Sequence, residues 1–281
     1  MSALGDHFRG GSGEPLLLVH GFSATWRTWR PVPEILAGEY DVLAPTLPGH
    51  CGGPDVTGSA TVDHLVDDVE RMLDEVGWSA PAVAGFSMGG WIALELAKRG
   101  RAKRVVAIAP AGAVGERTNP REARRIQLQF KISRAAARST LPYAESLARR
   151  PRFRRLAMLE VNEHGERLGP DEVVRSIRDH AATPVFDELL KNLVRGDGLT
   201  GLDRVTVPVH LVWGRHDKVL PISHAEYFRR HLPHATWQEL DHSGHVPFPD
   251  EPEAILQAIR TGSPPEPGGS PVAERDPATA E

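Results

Sequence analysis

Ala80 to Lys98 reads APAVAGFSMGGWIALELAK, and three kinds of local structure meet in it. Ala80 to Ala84 is a short apolar run that reads as a buried strand, Gly85 to Gly90 as a sharp turn, and Trp91 to Lys98 as a helix. Within the turn, Gly85-Phe86-Ser87-Met88-Gly89 matches G-x-S-x-G in the strand-to-helix context that gives this motif chemical meaning. A serine on so tight a turn is forced into strained backbone, and larger neighbours would clash as the chain reverses. Ser87 is thereby left exposed at a helix N-terminus, where backbone N–H groups favour a developing oxyanion.

Outward from that stretch, strand and helix alternate. Leu16 to Val19 and Tyr40 to Ala44 read as strands, Leu65 to Val76 carries apolar residues at three- and four-residue steps, and Val105 to Ala109 is a further β-branched strand. The rhythm resumes with strand Val207 to Trp213, helix Ser223 to His231, strand Thr236 to Leu240 and helix Glu253 to Ile259. Such alternation predicts an α/β fold with a mostly parallel, doubly wound sheet. Between them the chain is rich in Arg and Ala and helical in pattern. The expected organisation is a core of residues 1–112 and 206–261, a helical cap inserted over 113–205, and a disordered tail over 262–281, where Pro, Gly, Glu and Ala dominate.

A serine hydroxyl is a poor nucleophile at neutral pH, so it needs a base and a group that holds the base in one tautomer. Asp217 follows the strand Val207 to Trp213, at the sheet end where active sites of open parallel sheets gather. His245 follows Thr236 to Leu240 and precedes the last helix, so the order along the chain is Ser, Asp, His. His242 is the nearest rival to His245, while Asp203 and Asp241 rival Asp217 by residue type; none of them occupies the expected place in a post-strand loop.

His20-Gly21-Phe22, Leu47-Pro48-Gly49-His50, Gly85 to Gly89, and Gly244-His245 followed by Asp250-Glu251-Pro252 together resemble the motifs of the α/β-hydrolase superfamily, over Leu16 to Ile259. The resemblance implies a serine hydrolase with Ser87 as nucleophile, His245 as general base and Asp217 orienting it. It also implies that the backbone N–H groups of Phe22 and Met88 form the oxyanion hole. Two departures stand out: Thr46 where the family often has an acid, and room for at most one clear strand before Leu16 where it commonly has two.

The function this implies is hydrolysis of a small-molecule carboxylic ester or related acyl bond. Alternatives within the superfamily are C–C bond hydrolysis of a vinylogous diketone and cofactor-free haloperoxidase or perhydrolase chemistry; a small-ligand receptor of the same fold is the non-enzyme alternative. Nucleophilic-aspartate chemistry, as in dehalogenases and epoxide hydrolases of this fold, is disfavoured by a serine at the elbow. No metal-ligand spacing or phosphate-binding loop is present, so no cofactor and no metal are expected.

A formal net charge of −4 provides no global basic field for nucleic acid or an anionic membrane. No signal-like N-terminus or spanning apolar run is seen, and Cys51 stands alone, which leads to an expectation of a cytoplasmic protein without a membrane span. The basic stretch from Arg121 to Arg155 reads either as a solvated helix face or as a lure for an anionic substrate, such as a carboxylate or an acyl-thioester carrier. The apolar residues among them, Ile126, Leu128, Phe130, Ile132, Leu141, Phe153, Leu156 and Met158, either line a pocket or pack the cap.

Overall fold

The computed structural model describes residues 4–113, 120–195 and 198–263. Seven strands, β1 (His7–Gly10), β2 (Glu14–Val19), β3 (Tyr40–Pro45), β4 (Ala82–Phe86), β5 (Arg104–Ile108), β6 (Val209–Gly214) and β7 (Thr236–Leu240), form one sheet in the order β1-β3-β2-β4-β5-β6-β7. Only β1 runs antiparallel, along β3. The other pairings are parallel, and this matches the expected α/β class.

The helices interleave with the strands: α1 (Val32–Leu36), α2 (Val62–Glu75), α3 (Met88–Lys98), then α4 (Pro120–Thr140), α5 (Ala144–Ala148), α6 (Pro151–Ala157), α7 (Pro170–Ala182) and α8 (Phe186–Arg195), and finally α9 (Ala225–His231) and α10 (Pro252–Thr261). Period-two alternation divides the strand side chains between two cores. Leu17, Val83, Val105 and Leu211 face α2, α3 and α9, while Leu16, Ala84, Val106 and Val212 face α1 and α10. Helices on both faces explain why the central strands read as near-continuous apolar runs. Each fully buried Leu or Val contributes about 1.5–3 kcal/mol. At the start of α2, Thr61 accepts the N–H of His64 at 3.2 Å, a cap worth about 1 kcal/mol.

The run α4 to α8 lies in sequence between β5 and β6, and part of it packs as a separate cluster around Val173, Ile177, Ala144 and Met158. It joins the core through Asp250, whose carboxylate accepts the N–H groups of Glu163, His164 and Gly244 at 3.0, 3.1 and 3.3 Å. Val246 N–H also donates to the Val161 carbonyl at 2.7 Å. Among the described residues, no helix is long and apolar enough to cross a membrane. The tail expected to lack fixed structure lies, from residue 264 on, outside the described residues.

One strand, β1, precedes β2 among the described residues. Thr46 is buried, donates its N–H to the Asp6 carbonyl at 2.9 Å, and so helps tie β3 to the segment before β1.

Candidate active site

The strand order reverses at the seam between β2 and β4, where the chain first winds outward to β3 and then crosses to the other side. Ligand crevices of open α/β sheets form at the carboxyl ends of strands at such a switch point. Here the seam is flanked by His20-Gly21-Phe22, after β2, and by Ser87, after β4.

The turn at Ser87 is tighter than its glycines imply. Strand β4 continues through Phe86 and α3 begins at Met88, so Ser87 alone lies between them, with φ 55° and ψ −118°. A side chain on Gly85 would meet the Gly89 carbonyl oxygen at 2.1 Å, and one on Gly89 would meet the Val19 carbonyl oxygen at 2.1 Å. The two glycines therefore supply clearance, and the backbone strain falls on the serine.

Ser87 Oγ lies 3.0 Å from His245 Nε2, and His245 Nδ1 lies 2.7 Å from Asp217 Oδ2. An ionised carboxylate only accepts, so the proton on the ring sits on Nδ1 and leaves Nε2 free to take the Ser87 proton. The other Asp217 oxygen accepts the N–H groups of Val219 and Leu220 at 2.9 and 2.8 Å. Asp217 and His245 are both buried, and Phe86 packs on the imidazole at 4.9 Å between ring centroids. The structure thus brings together the three side chains singled out from the sequence.

It separates their rivals. His242 is exposed, Asp241 pairs with Arg215 at 3.0 Å on the surface, and Asp203 is exposed after α8. Cys51 lies in a turn, with its thiol pKa raised by burial and by the neighbouring Asp179 carboxylate, which opposes thiolate formation.

Phe22 and Met88 stand on either side of the seam. Gly21 is so close to the elbow that a side chain on it would meet Phe86 at 3.0 Å and Ser87 Cβ at 3.1 Å. Among the described residues, neither the Phe22 nor the Met88 N–H donates to a backbone carbonyl. His20 holds this loop from below. Its Nε2 accepts the Leu47 N–H at 2.9 Å, so Nδ1 carries the proton and donates to the Gly21 carbonyl at 2.8 Å. Burial, reinforced by His50, keeps the His20 pKa well below the usual histidine range and the ring neutral. Sequence reasoning named His20 only as part of a motif; its role as a tie between two loops depends on a contact to Leu47 that no local pattern carries.

A cavity of about 560 Å³ opens above Ser87 and His245. Phe130, Ile132, Phe153, Leu156 and Met158 line it; Phe153 and Met158 also pack, with Leu141, in the cluster around Val173, while Ile126 packs against Phe186 and Leu128 faces solvent. Its charged lining residues, among those described, are Asp179 and Glu160. Among the described residues no Lys or Arg lines it, so the described part of the basic stretch forms no anion pocket inside the cavity. Several of those cations are instead spent on the fold: Arg134 donates to the Thr183 carbonyl at 2.8 Å and covers the Phe186 ring, and Arg154 donates to the Ala148 and Glu166 carbonyls.

The far wall holds a second polar network that sequence reasoning missed. His180 lies between the Ser23 and Ser133 hydroxyls, with Nδ1 and Nε2 at 2.7 and 2.8 Å, and Thr25 donates to the adjacent Asp179 at 2.9 Å. Burial and the Arg134 guanidinium lower the His180 pKa to about 4, and burial raises that of Asp179. Both residues sit on α7 and bind the loop that follows Phe22. No group of three or more His, Cys, Asp or Glu side chains that could hold a metal ion occurs among the described residues.

Comparison with known proteins places this geometry in a wider set. A family model described as alpha/beta hydrolase matches residues 16–258. An epoxide hydrolase of Mycobacterium tuberculosis is 35% identical over 201 residues, covering 69% of this chain and 91% of that protein. A pimeloyl (acyl-carrier protein) methyl ester esterase of Nitrosomonas europaea is 28% identical over 260 residues, covering 89% of this chain and 95% of that protein. Among solved structures, a thermophilic esterase from Thermogutta terrifontis superposes with a TM-score of 0.72 at 22% identity, with 91% of each chain covered.

Proposed function

The chain belongs to the alpha/beta hydrolase family and is a hydrolase, and from that premise we propose that it cleaves a carboxylic ester through Ser87, with His245 as general base and Asp217 as its orienting carboxylate. The observation that carries this reading is the continuous chain from Ser87 Oγ through His245 to Asp217, at 3.0 and 2.7 Å. In it, His245 Nε2 takes the hydroxyl proton as Ser87 attacks the carbonyl carbon, and the Phe22 and Met88 N–H groups receive the oxyanion. His245 then returns the proton to the departing alcohol. Water, deprotonated by the same nitrogen, attacks the acyl-enzyme, and His245 passes that proton to the departing Ser87 oxygen as the acid is released. The helices α4 to α8 act as a cap that excludes bulk water from this chemistry.

The apolar walls, and a lining without Lys or Arg among the described residues, support an uncharged acyl group as the substrate portion that enters. The resemblance to an epoxide hydrolase supports a second reading, ring opening of an epoxide. Chemistry separates the two. Attack by a serine oxygen on an epoxide carbon leaves an ether, which the Ser87–His245 pair has no carbonyl to hydrolyse, whereas attack on an ester leaves an acyl-enzyme that water can cleave. The test is turnover of a nitrophenyl ester series and of styrene oxide by the protein and its Ser87→Ala variant. Ester turnover lost in the variant, with no multiple turnover of the epoxide, is the expected result; epoxide turnover that survives Ser87→Ala, or ester turnover unchanged by it, contradicts the proposal.

A further inference from the structure

The exposed large apolar side chains of this protein are concentrated in one place. Leu128, Ile132, Tyr143, Leu156 and Leu159 are between 45% and 70% exposed, and Ile35 is the one such residue outside that segment among those described. Ile132, Leu156 and Leu159 also line the cavity above Ser87. Side chains that are both cavity-lining and exposed mark its opening, so the opening has an apolar rim.

The same segment is the most basic of the chain. From Arg121 to Glu160 there are eleven Lys or Arg against three Glu, in a protein whose net charge is −4. Of these cations Lys131 adjoins Ile132, and Arg152 and Arg155 flank Leu156, while among the described residues no Lys or Arg lines the cavity. On α4, Arg124, Leu128, Lys131 and Ile132 fall at helical spacing on one exposed face. On α6, Arg152 lies one turn before Leu156, and Arg155 is its neighbour; all three are exposed.

An anionic substrate small enough to enter would meet the Asp179 and Glu160 carboxylates in a lining that, among the described residues, includes no Lys or Arg. The anion that suits Lys131, Arg152 and Arg155 therefore stays outside while an uncharged chain goes in. Aliphatic rim residues need hydrocarbon in which to be buried, and cations beside them need phosphate at the level of the rim. An acidic acyl-carrier protein offers charge and a single acyl chain, which the cavity would take, leaving the exposed rim residues without hydrocarbon; a lipid surface offers phosphates and hydrocarbon for the rim together.

We propose that the cavity opening, with Ile132, Leu156 and Leu159 at its rim and Lys131, Arg152 and Arg155 around it, is a docking face for an anionic lipid surface from which an acyl ester enters. That this face feeds Ser87 rests on the ester reading, whereas lipid binding itself is measured without turnover.

The experiment is flotation of the full chain with vesicles of phosphatidylglycerol and phosphatidylcholine, and with vesicles of phosphatidylcholine alone, over a range of salt concentrations. The expected result is binding to the anionic vesicles alone, falling as salt rises. A Lys131→Gln, Arg152→Gln, Arg155→Gln variant weakens it about 100-fold, at about five-fold for each cation near an anionic surface. Its circular dichroism and its turnover of a short water-soluble ester are unchanged. No binding to anionic vesicles, equal binding to both kinds, binding untouched by the three substitutions, or capture by an acidic acyl-carrier protein without vesicle binding overturns the proposal. Vesicle binding by a chain that turns over no ester leaves the docking face standing and removes only its link to Ser87.

Discussion

Asp217 receives His245 Nδ1 on one carboxylate oxygen at 2.7 Å and the amides of Val219 and Leu220 on the other at 2.9 and 2.8 Å. The acid is thus fixed by backbone before it meets the imidazole, and its orientation does not depend on a bound substrate. Position and tautomer of His245 follow from it.

Asp217→Asn keeps an oxygen for the two amides but turns an NH2 toward His245. The ring then carries its proton on Nε2 and cannot accept the one on Ser87. We expect kcat for a nitrophenyl ester to fall about 10⁴-fold, with KM within a few-fold of the parent. Steady-state kinetics on the purified variant measure it, and a loss of less than ten-fold would contradict the assigned role.

Gly89→Ala pushes a methyl group to 2.1 Å from the Val19 carbonyl, a backbone atom that cannot swing aside. Overpacking at such a site costs about 3 kcal/mol or more, and it lands where β2 hands over to the Phe22 loop. Gly77→Ala, with open space around it but φ +75°, is expected to cost about 1–2 kcal/mol. Denaturant unfolding of both variants provides the comparison, and similar midpoints would refute the clearance argument.

Burial holds both His50 and His180 at a pKa of about 4, and Arg134 adds to the effect at His180. Unfolded, each titrates near the ordinary value of 6.5. Between those values the unfolded chain binds more protons, so stability is fully present above pH 6.5 and drains as pH falls toward 4. At pH 5 each ring accounts for a loss of about 2 kcal/mol. His180→Gln should flatten the fall in unfolding free energy between pH 7 and 5, and an unchanged slope would rule out its share.

Asp250→Ala strips the acceptor from the amides of Glu163, His164 and Gly244, two of which belong to the segment that roofs the cavity. Hydrogen bonds to a buried charge are worth about 1.5–3 kcal/mol each before relaxation, so a total loss of about 2–4 kcal/mol is expected once the loops adjust. KM should rise more than kcat falls, because the roof moves while Asp217 keeps its own amides. A variant with unchanged KM and stability would show that the roof is held elsewhere.

Much of this architecture was legible because it is local. The elbow reads from Gly85, Ser87 and Gly89, and Asp217 and His245 read from their places after apolar strands. The extent of the turn did not read correctly: glycines at 85, 89 and 90 look like turn formers, whereas they lie inside β4 and α3 and serve close approach. Helix α1, five residues beginning Val-Pro, is too short to show a period. His180, Asp179 and Asp250 act on residues far along the chain, and no spacing rule reaches Ser23 from His180. The basic stretch from Arg121 to Arg155 was legible in the sequence, whereas the cavity-lining and exposed positions of Ile132, Leu156 and Leu159 beside it come from the fold.

The most direct test of the central claim is intact-mass measurement of the protein and its Ser87→Ala variant after exposure to a fluorophosphonate. A serine activated by His245 predicts one adduct per chain on the native protein, mapped to Ser87 and absent from the variant. No adduct on the native protein, or the same adduct on the variant, would contradict the assignment of Ser87 as the nucleophile.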